Sequence, residues 1–503
     1  MRKIFYSFIV LSVTLLVSSC DLDLKPSSSI STEDALNSMD DAQKLRRDLY
    51  ITMRTSLTSG APVYLMELLS DSFHGSITYG NRNGEYYKWE MRSTFGNVES
   101  LWSSAYYLVM LANFLEGGIP ALKETATQAE IAQYDVILGE CAFSKAYAMF
   151  ILTELYCKPY DASTASSDYG VMLSNETFKT PSEQSTYVGR SSLEETYTYI
   201  ENNIAKAKSL LSGVAGKVGS IYVTLDAVKA LEASVALNKC DWSKAASLAA
   251  GLIESGAYPL LDTPEEFEDL WTNDSGKECI MQFWSSILST PNTNDYGYIQ
   301  FTGGLYAPNY VPEKWIVDAY DADDLRFATW FHKTKVNLGN FSGNIYLCFK
   351  FPGNPDLMSS TGSSTYIQKI KPFRIAEQYL IAAEAYAQLK QSSDACKYLN
   401  ALRASRIPSY SAKSYTGDEL LAQVKLERAR ELYGEGFRFK DLKRWKDGLT
   451  RSEAQDKNLV IDAGSEKTEL LHRDADHDFW VWPIPQAEID ANPQIRNQQN
   501  KGY

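Results

Sequence analysis

The sequence predicts a mainly α-helical protein: a scaffold of tetratricopeptide-like helix pairs carrying long irregular loops, with little sheet. Three observations carry that expectation. Apolar residues recur at three- and four-residue steps over long stretches. Two segments repeat the pattern of helix, short polar turn and helix, with alanines where the partners must meet. The intervening stretches are rich in Ser, Gly and Tyr and have no period. At 44% hydrophobic and 22% charged residues, the 503-residue chain lies near the globular norm, which excludes collagen-like, coiled-coil and wholly disordered readings.

The amino terminus reads as an address. Arg2 and Lys3 form a short positive start, and Ile4 to Val17 follow as a mostly apolar run, sized for a signal-peptide core and too short to span a bilayer. Val17-Ser18-Ser19-Cys20 resembles a bacterial lipobox, so residues 1–19 read as a lipoprotein signal peptide and Cys20 as the lipidation site. Asp21 to Ser31 is polar and Pro/Ser-rich, a tether reaching at most about 36–40 Å, with 20–31 forming the lipidated cysteine and linker. Residues 32–503 read as one domain, with an N-terminal helical part at 32–270 and a C-terminal part at 271–503 holding a loop-rich insert and the last helices. No later run reaches 18 apolar residues, and the body is expected outside the cytoplasm.

In the body, Leu101, Ala105, Leu108, Ala112 and Leu115 stripe one helix, and Leu138, Cys141, Ala142, Ala146 and Phe150 stripe another that ends near Tyr156. The first helix pair runs from Leu225 to Leu237 and resumes with Trp242, Ala245, Ala249 and Leu252. The second pair has Ile375, Tyr379, Ala382, Ala383 and Tyr386 on one helix and Ala395, Leu399 and Leu402 on its mate. Small residues at such contacts let antiparallel helices approach closely. Irregular segments are expected at His74 to Phe95, Lys158 to Tyr187, Phe283 to Tyr310 and Leu338 to Tyr366.

Chemistry-bearing motifs are scarce. The net charge of −14 argues against nucleic acid as a partner. There is no H-E-x-x-H, G-x-S-x-G, phosphate-loop or dinucleotide-loop pattern, so no enzyme is indicated, although a glycosidase's two carboxylates leave no short signature. None of Cys141, Cys157, Cys240, Cys279, Cys348 and Cys396 forms a C-x-x-C, which makes zinc improbable, and spacing selects no disulfide. The acidic clusters Asp318, Asp321, Asp323, Asp324 and Asp474, Asp476, Asp478 depart from the calcium-loop pattern and read as solvated or Arg-paired carboxylates; no cofactor is expected, with calcium a side possibility. Between Glu427 and Trp445, the charges of Glu427, Glu431, Glu435, Arg428, Arg438, Asp441 and Arg444 read as structural pairs at a helix junction.

Aromatic loops give the better functional signal. A pyranose offers an apolar C–H face and a rim of hydroxyls, so a flat ring can stack beneath it while Asn, Asp or Arg takes the rim. Tyr79, Asn81, Asn83, Tyr86, Tyr87 and Trp89 form one such mixture, with Arg82 and Glu85 among them. Trp284, Asn294, Tyr296, Tyr298 and Tyr306, accompanied by Asn292, Asp295 and Gln300, form the other. Both suit an oligosaccharide and would also accept an oligopeptide.

The lipobox followed by DLDLKP, the helix FRIAEQYLIAAEAY, the segment ERARELYGEGFRFKDLKRW and the ending WPIPQAEIDANPQIRNQQNKGY together resemble the SusD/RagB family of nutrient-uptake outer-membrane lipoproteins. The resemblance implies a SusD-like fold and a non-catalytic protein held at the outer membrane by its lipid, facing the cell exterior. It also implies a SusC-like TonB-dependent transporter as partner, with oligosaccharide as ligand, or oligopeptide in the RagB branch. Val311 to Phe327 resembles the RagB side at least as closely as the starch-binding side. Family ligand residues lie in variable loops without a motif, so no ligand residue is transferred from it.

Overall fold

In a computed structural model the described residues are 34–79, 82–177, 186–292, 301–302, 304–358, 366–451, 453–461 and 472–503. Helix accounts for 51% of the chain and strand for 9%. The longer helices are α1 Met39–Thr52, α2 Ala61–Leu68, α3 Gly96–Lys123, α4 Gln128–Tyr156, α5 Leu193–Leu210, α6 Leu225–Asn238, α7 Trp242–Glu254, α8 Pro264–Thr272, α9 Ile375–Gln388, α10 Ser392–Arg406, α11 Gly417–Glu431 and α12 Arg438–Trp445. Their starts follow from local chemistry. Thr127 with Glu130 and Ser192 with Glu195 build reciprocal capping boxes at α4 and α5. Thr224 and Asp241 cap α6 and α7 by accepting from backbone N–H groups that have no intrahelical partner.

The helices stack in sequence, α3 on α4, α4 on α5 and α6 on α7. From there α7 meets α9, which also contacts α10 and α11, so the two expected helix pairs lie side by side. Alanines explain the closeness: Ala233, Ala236, Ala245, Ala246, Ala249, Ala382, Ala383 and Ala385 are buried in one shared cluster. A Cβ at Gly139 of α4 would come within 2.7 Å of Leu211 Cγ, so this crossing requires glycine. Helices α3 and α4 are long and apolar enough to cross a membrane, with mean hydropathy 1.2 and 1.4 over their best windows. In α4 89% of that window is buried within the protein, and each helix forms part of the other's cover.

Strands are short and mostly tie distant segments together. They are β1 Phe73–Gly75, β2 Cys279–Met281, β3 Phe301–Thr302, β4 Leu305–Tyr306, β5 Tyr310–Pro312, β6 Phe331–Leu338, β7 Phe341–Cys348, β8 Phe373–Arg374, β9 Leu449–Thr450 and β10 His472–Arg473. Three two-stranded ladders pair β1 with β5, β2 with β8 and β9 with β10, and the remaining strands form a sheet in the order β3-β4-β6-β7. Part of the stretch expected to be irregular after Leu338 is therefore a hairpin, registered from Phe331↔Cys348 to Leu338↔Phe341. Gly339 supplies the left-handed backbone its two-residue turn requires. Phe331, Val336, Leu338, Ile345 and Leu347 are buried along it while Lys333, Lys335 and Asn344 are exposed.

The charged segment from Glu427 is structural, as read from its pattern. Arg326 bonds Asp324, Glu427 and Glu431 at 2.7–3.1 Å. Arg374 joins Glu278, Glu431 and Glu435, and Arg406 joins Glu278 and Glu431. Arg428 and Arg444 share Asp441, and Arg438 meets Asp71 at 2.7 Å. All six cysteines beyond residue 20 are free, and all but Cys240 are buried. Among the described residues no group of three or more His, Cys, Asp or Glu is placed to hold a metal. The first acidic cluster is partnered: Asp318 with Lys314, Asp324 with Arg326, and Asp323 with the Ser409 N–H.

One buried carboxyl is only half satisfied. Glu67 of α2 accepts the Gly436 N–H at 2.7 Å through Oε1 and lies beside the Ser72 hydroxyl, while Oε2 makes no close hydrogen bond among the described residues. Burial pushes its pKa up to about 7. Because the folded value lies above the unfolded one, the stability this group contributes is present in full below about pH 4.5 and is lost as pH rises through 7. Lys350, which burial lowers to about 8, has the opposite slope, so the test is a difference between variants. The unfolding free energy of the wild type relative to Glu67→Gln should fall by up to about 3 kcal/mol between pH 5 and pH 9. Urea melts of the two proteins at pH 5, 7 and 9 measure this, and parallel pH profiles would refute it.

Candidate ligand-binding surface

The two aromatic loops part ways in the structure. Tyr79, Tyr86, Tyr87 and Trp89 are buried, which corrects the expectation that they form a binding platform. Trp89 donates its ring N–H to Leu69 O at 3.0 Å and stands edge-on against Trp480 at 4.7 Å. Tyr87 lies under the Arg451 guanidinium, 3.7 Å from its ring centre, and also meets Tyr79 and Tyr310. Tyr86 packs on Phe95 and Trp482. The physical reason is that this loop fills the seam between the N-terminal helices and the closing segment of the chain, where large rings bury most area. Asn83 is half-buried and holds a left-handed turn before a short helix, and Asn81 lies outside the described residues.

Of the second set, Trp284 is exposed to solvent. All ten tryptophans fall among the described residues, and Trp284 alone is exposed, at 54%. Its segment is strapped across the N-terminal helix. The Phe283 N–H bonds Ile370 O at 2.9 Å and the Phe283 ring is buried, so alternation turns the next side chain outward. Arg54, in the π-helical turn Met53–Leu57 that follows α1, donates to Trp284 O and, at 2.7 Å, to Ser289 Oγ. Farther along, the Asn292 side-chain amide donates to Thr55 O at 2.8 Å. Reciprocal backbone bonds between Ser286 and Ser289 close a tight turn that pushes out Ile287 and Leu288, the latter 95% exposed.

Tyr50 brings a third piece to this surface. Its ring meets Tyr222 at 5.3 Å and Phe283 at 6.4 Å, and its hydroxyl accepts the Val223 N–H. Tyr222 carries the Arg46 guanidinium 4.2 Å above its ring, and with Ile51 and Ile221 it is exposed. Beneath the loop, Arg54 Nε and Ser285 Oγ are buried and have no hydrogen-bond partner among the described residues. Sequence reading missed Arg54 and Tyr222, which lie 230 and 62 residues from Trp284; only folding brings them together.

Tyr306 belongs to a different element. It is half-buried on β4, with its ring 4.8 Å from Phe301 and 5.8 Å from Phe349, and exposed Phe301, Leu305 and Phe341 surround that end of the sheet. Asn294, Tyr296 and Tyr298, with Asp295 and Gln300, lie in 293–300, outside the described residues. What the surface at Trp284 offers is a flat exposed ring beside an aliphatic rim, an arrangement on which the apolar face of a ligand can stack.

Comparison with known proteins places the chain among relatives. A family model described as SusD family matches residues 329–503, and one described as starch-binding associating with outer membrane matches residues 22–237. The chain is 24% identical to SusD-like protein P38 of Formosa agariphila, across 100% of this chain and 99% of that one. It shares its fold with a SusD superfamily protein of Bacteroides thetaiotaomicron, at a TM-score of 0.74 and 22% identity over 92% of this chain and 100% of the other. A laminarin-binding SusD-like protein superposes with a TM-score of 0.68 and 20% identity, covering 92% and 99%.

Proposed function

The chain belongs to the SusD/RagB family, and from that premise we propose that it is a non-catalytic glycan-binding lipoprotein of the cell surface. It captures oligosaccharide and passes it to a SusC-like TonB-dependent outer-membrane transporter, tethered meanwhile through a lipid on Cys20. Residues 1–33 lie outside the described set, so the anchor rests on the lipobox-like sequence. The observation that carries the glycan reading is Trp284, the single exposed tryptophan, with exposed Ile287 and Leu288 on the same loop. A sugar ring stacked there buries its C–H face on the indole while its hydroxyls stay hydrated. Laminarin binding by one relative of the same fold agrees in kind. Little ligand area is desolvated on so open a surface, so affinity is modest, which suits a protein that must release its cargo.

Titration calorimetry against laminarin, other glycans and a panel of oligopeptides tests this reading. Wild-type protein should bind at least one glycan, and Trp284→Ala should weaken it tenfold or more, the loss of about 1.4 kcal/mol of stacking. Unfolding free energy should stay within about 0.5 kcal/mol, since the ring supports no core. Binding of peptides alone, or unchanged glycan affinity in the variant, would reject the proposal.

A further inference from the structure

Arg46, Tyr50 and Arg54 recur at every fourth residue along the end of α1 and the π-helical turn after it, so they share one side of that helix. Two distant segments are laid across that side. At one end the Arg46 guanidinium covers the Tyr222 ring at 4.2 Å and the Tyr50 hydroxyl accepts the Val223 N–H at 2.9 Å. At the other, Arg54 donates to Trp284 O and to Ser289 Oγ. The two segments also run side by side, joined by a parallel bridge between Ser220 and Met281 and by the Gln282 N–H bonded to Ser220 O at 2.9 Å. From Arg46 to Arg54 is eight residues, about 12 Å at the helical rise, and an exposed ring stands at each end.

The Tyr222 ring is held in a fixed attitude. Arg46 is itself locked by two bonds to buried Glu140, at 2.5 and 2.6 Å. It lies 6.0 Å from the centre of Tyr50, and the two tyrosine rings are 5.3 Å apart, so seen from Tyr222 the guanidinium and Tyr50 stand close to a right angle. The guanidinium therefore covers one face of Tyr222 and Tyr50 takes an edge. The opposite face is left to solvent, in keeping with 43% exposure of the residue, and exposed Ile51 and Ile221 lie beside it in the chain. A ring oriented before any ligand arrives loses little freedom when something stacks on it.

One exposed ring grips a sugar chain at a single point. With two rings mounted along the same helix, a chain that stacks on one reaches the other within the same complex, at the high local concentration that the first contact imposes. A single sugar cannot reach both.

We propose that Tyr222 is a second stacking subsite, and that Trp284 and Tyr222 together select an extended oligosaccharide chain over its one- and two-sugar fragments. The inference rests on the glycan reading of Trp284 and deepens it. Full-length protein is titrated calorimetrically with malto-, laminari-, xylo- and manno-oligosaccharides of one to eight residues, and with oligopeptides of the same lengths.

In the series that binds, affinity should climb about tenfold or more between the disaccharide and the octasaccharide, at one chain per protein. Tyr222→Ala should remove most of that gain. Tyr222→Phe should keep it, because the ring remains. Melting temperatures matching wild type check that both variants are folded, and a purely structural tyrosine would not move the dependence on chain length. The inference is overturned if wild-type affinity does not rise with length, or if Tyr222→Ala keeps the whole gain; with Trp284→Ala still weakening glycan binding, either result leaves the Trp284 reading standing. Unchanged affinity in Trp284→Ala, or binding of peptides alone, removes both.

Discussion

Glu431→Ala is expected to lower the unfolding free energy by about 3–5 kcal/mol, enough to remove much of the stability of a typical domain. Glu431 accepts from Arg326, Arg374 and Arg406 at 2.9–3.1 Å, and none of the four side chains is more than 1% exposed. Around it Arg326, Arg374, Arg403, Arg406, Lys350 and, at the edge, Arg430 face Asp324, Glu278, Glu427, Glu431 and Glu435. Burial alone would raise the Glu431 pKa, yet Arg406, Arg374 and Arg326 hold it below the usual carboxylate range. Its removal leaves one buried positive charge uncompensated, the configuration that makes breaking a buried pair far more damaging than never having built it. Glu431→Gln retains the volume and separates charge from packing; it should be nearly as destabilising as alanine. Guanidinium denaturation measures both, and a glutamine variant within about 1 kcal/mol of wild type would show that the network contributes packing only.

The same network marks how far the sequence could be read. Glu427, Glu431 and Glu435 recur at helical spacing, so a charged cluster at a helix junction was legible from one segment. Its partners were not. Arg326, Arg374 and Arg406 lie 105, 57 and 25 residues from Glu431, and nothing in their local sequence distinguishes a buried arginine from a solvated one. Helix pairs were legible because alanine spacing and polar turns are local properties, and α6–α7 and α9–α10 fall where periodicity puts them. The β6–β7 hairpin was hidden because Gly339, Asn340, Ser342 and Gly343 dilute its alternation until it resembles a loop. Ring orientation was the least legible quantity. Trp89 and Trp284 both sit in Ser- and Asn-containing stretches, and whether a ring faces inward depends on what arrives opposite it.

For Trp89 what arrives is the end of the chain. Trp89→Ala is expected to cost about 3–5 kcal/mol of stability, in contrast to the near-neutral Trp284→Ala. The ring is 3% exposed and wedged against Phe439 at 5.9 Å, His477 at 5.3 Å and Trp480 at 4.7 Å, so it joins α12 to the closing segment. Deleting it opens a cavity among rings that cannot collapse independently, and leaves Leu69 O without the indole N–H it now accepts. Trp89→Phe should recover part of the loss, since it restores apolar volume but not the hydrogen bond. Because the damage lies in the seam and not at the surface, folded Trp89→Ala protein should bind glycan as wild type does. Urea denaturation combined with glycan titration separates the two roles. A stable Trp89→Ala protein with weakened binding would mean that the ring turns outward in solution and serves as a platform after all.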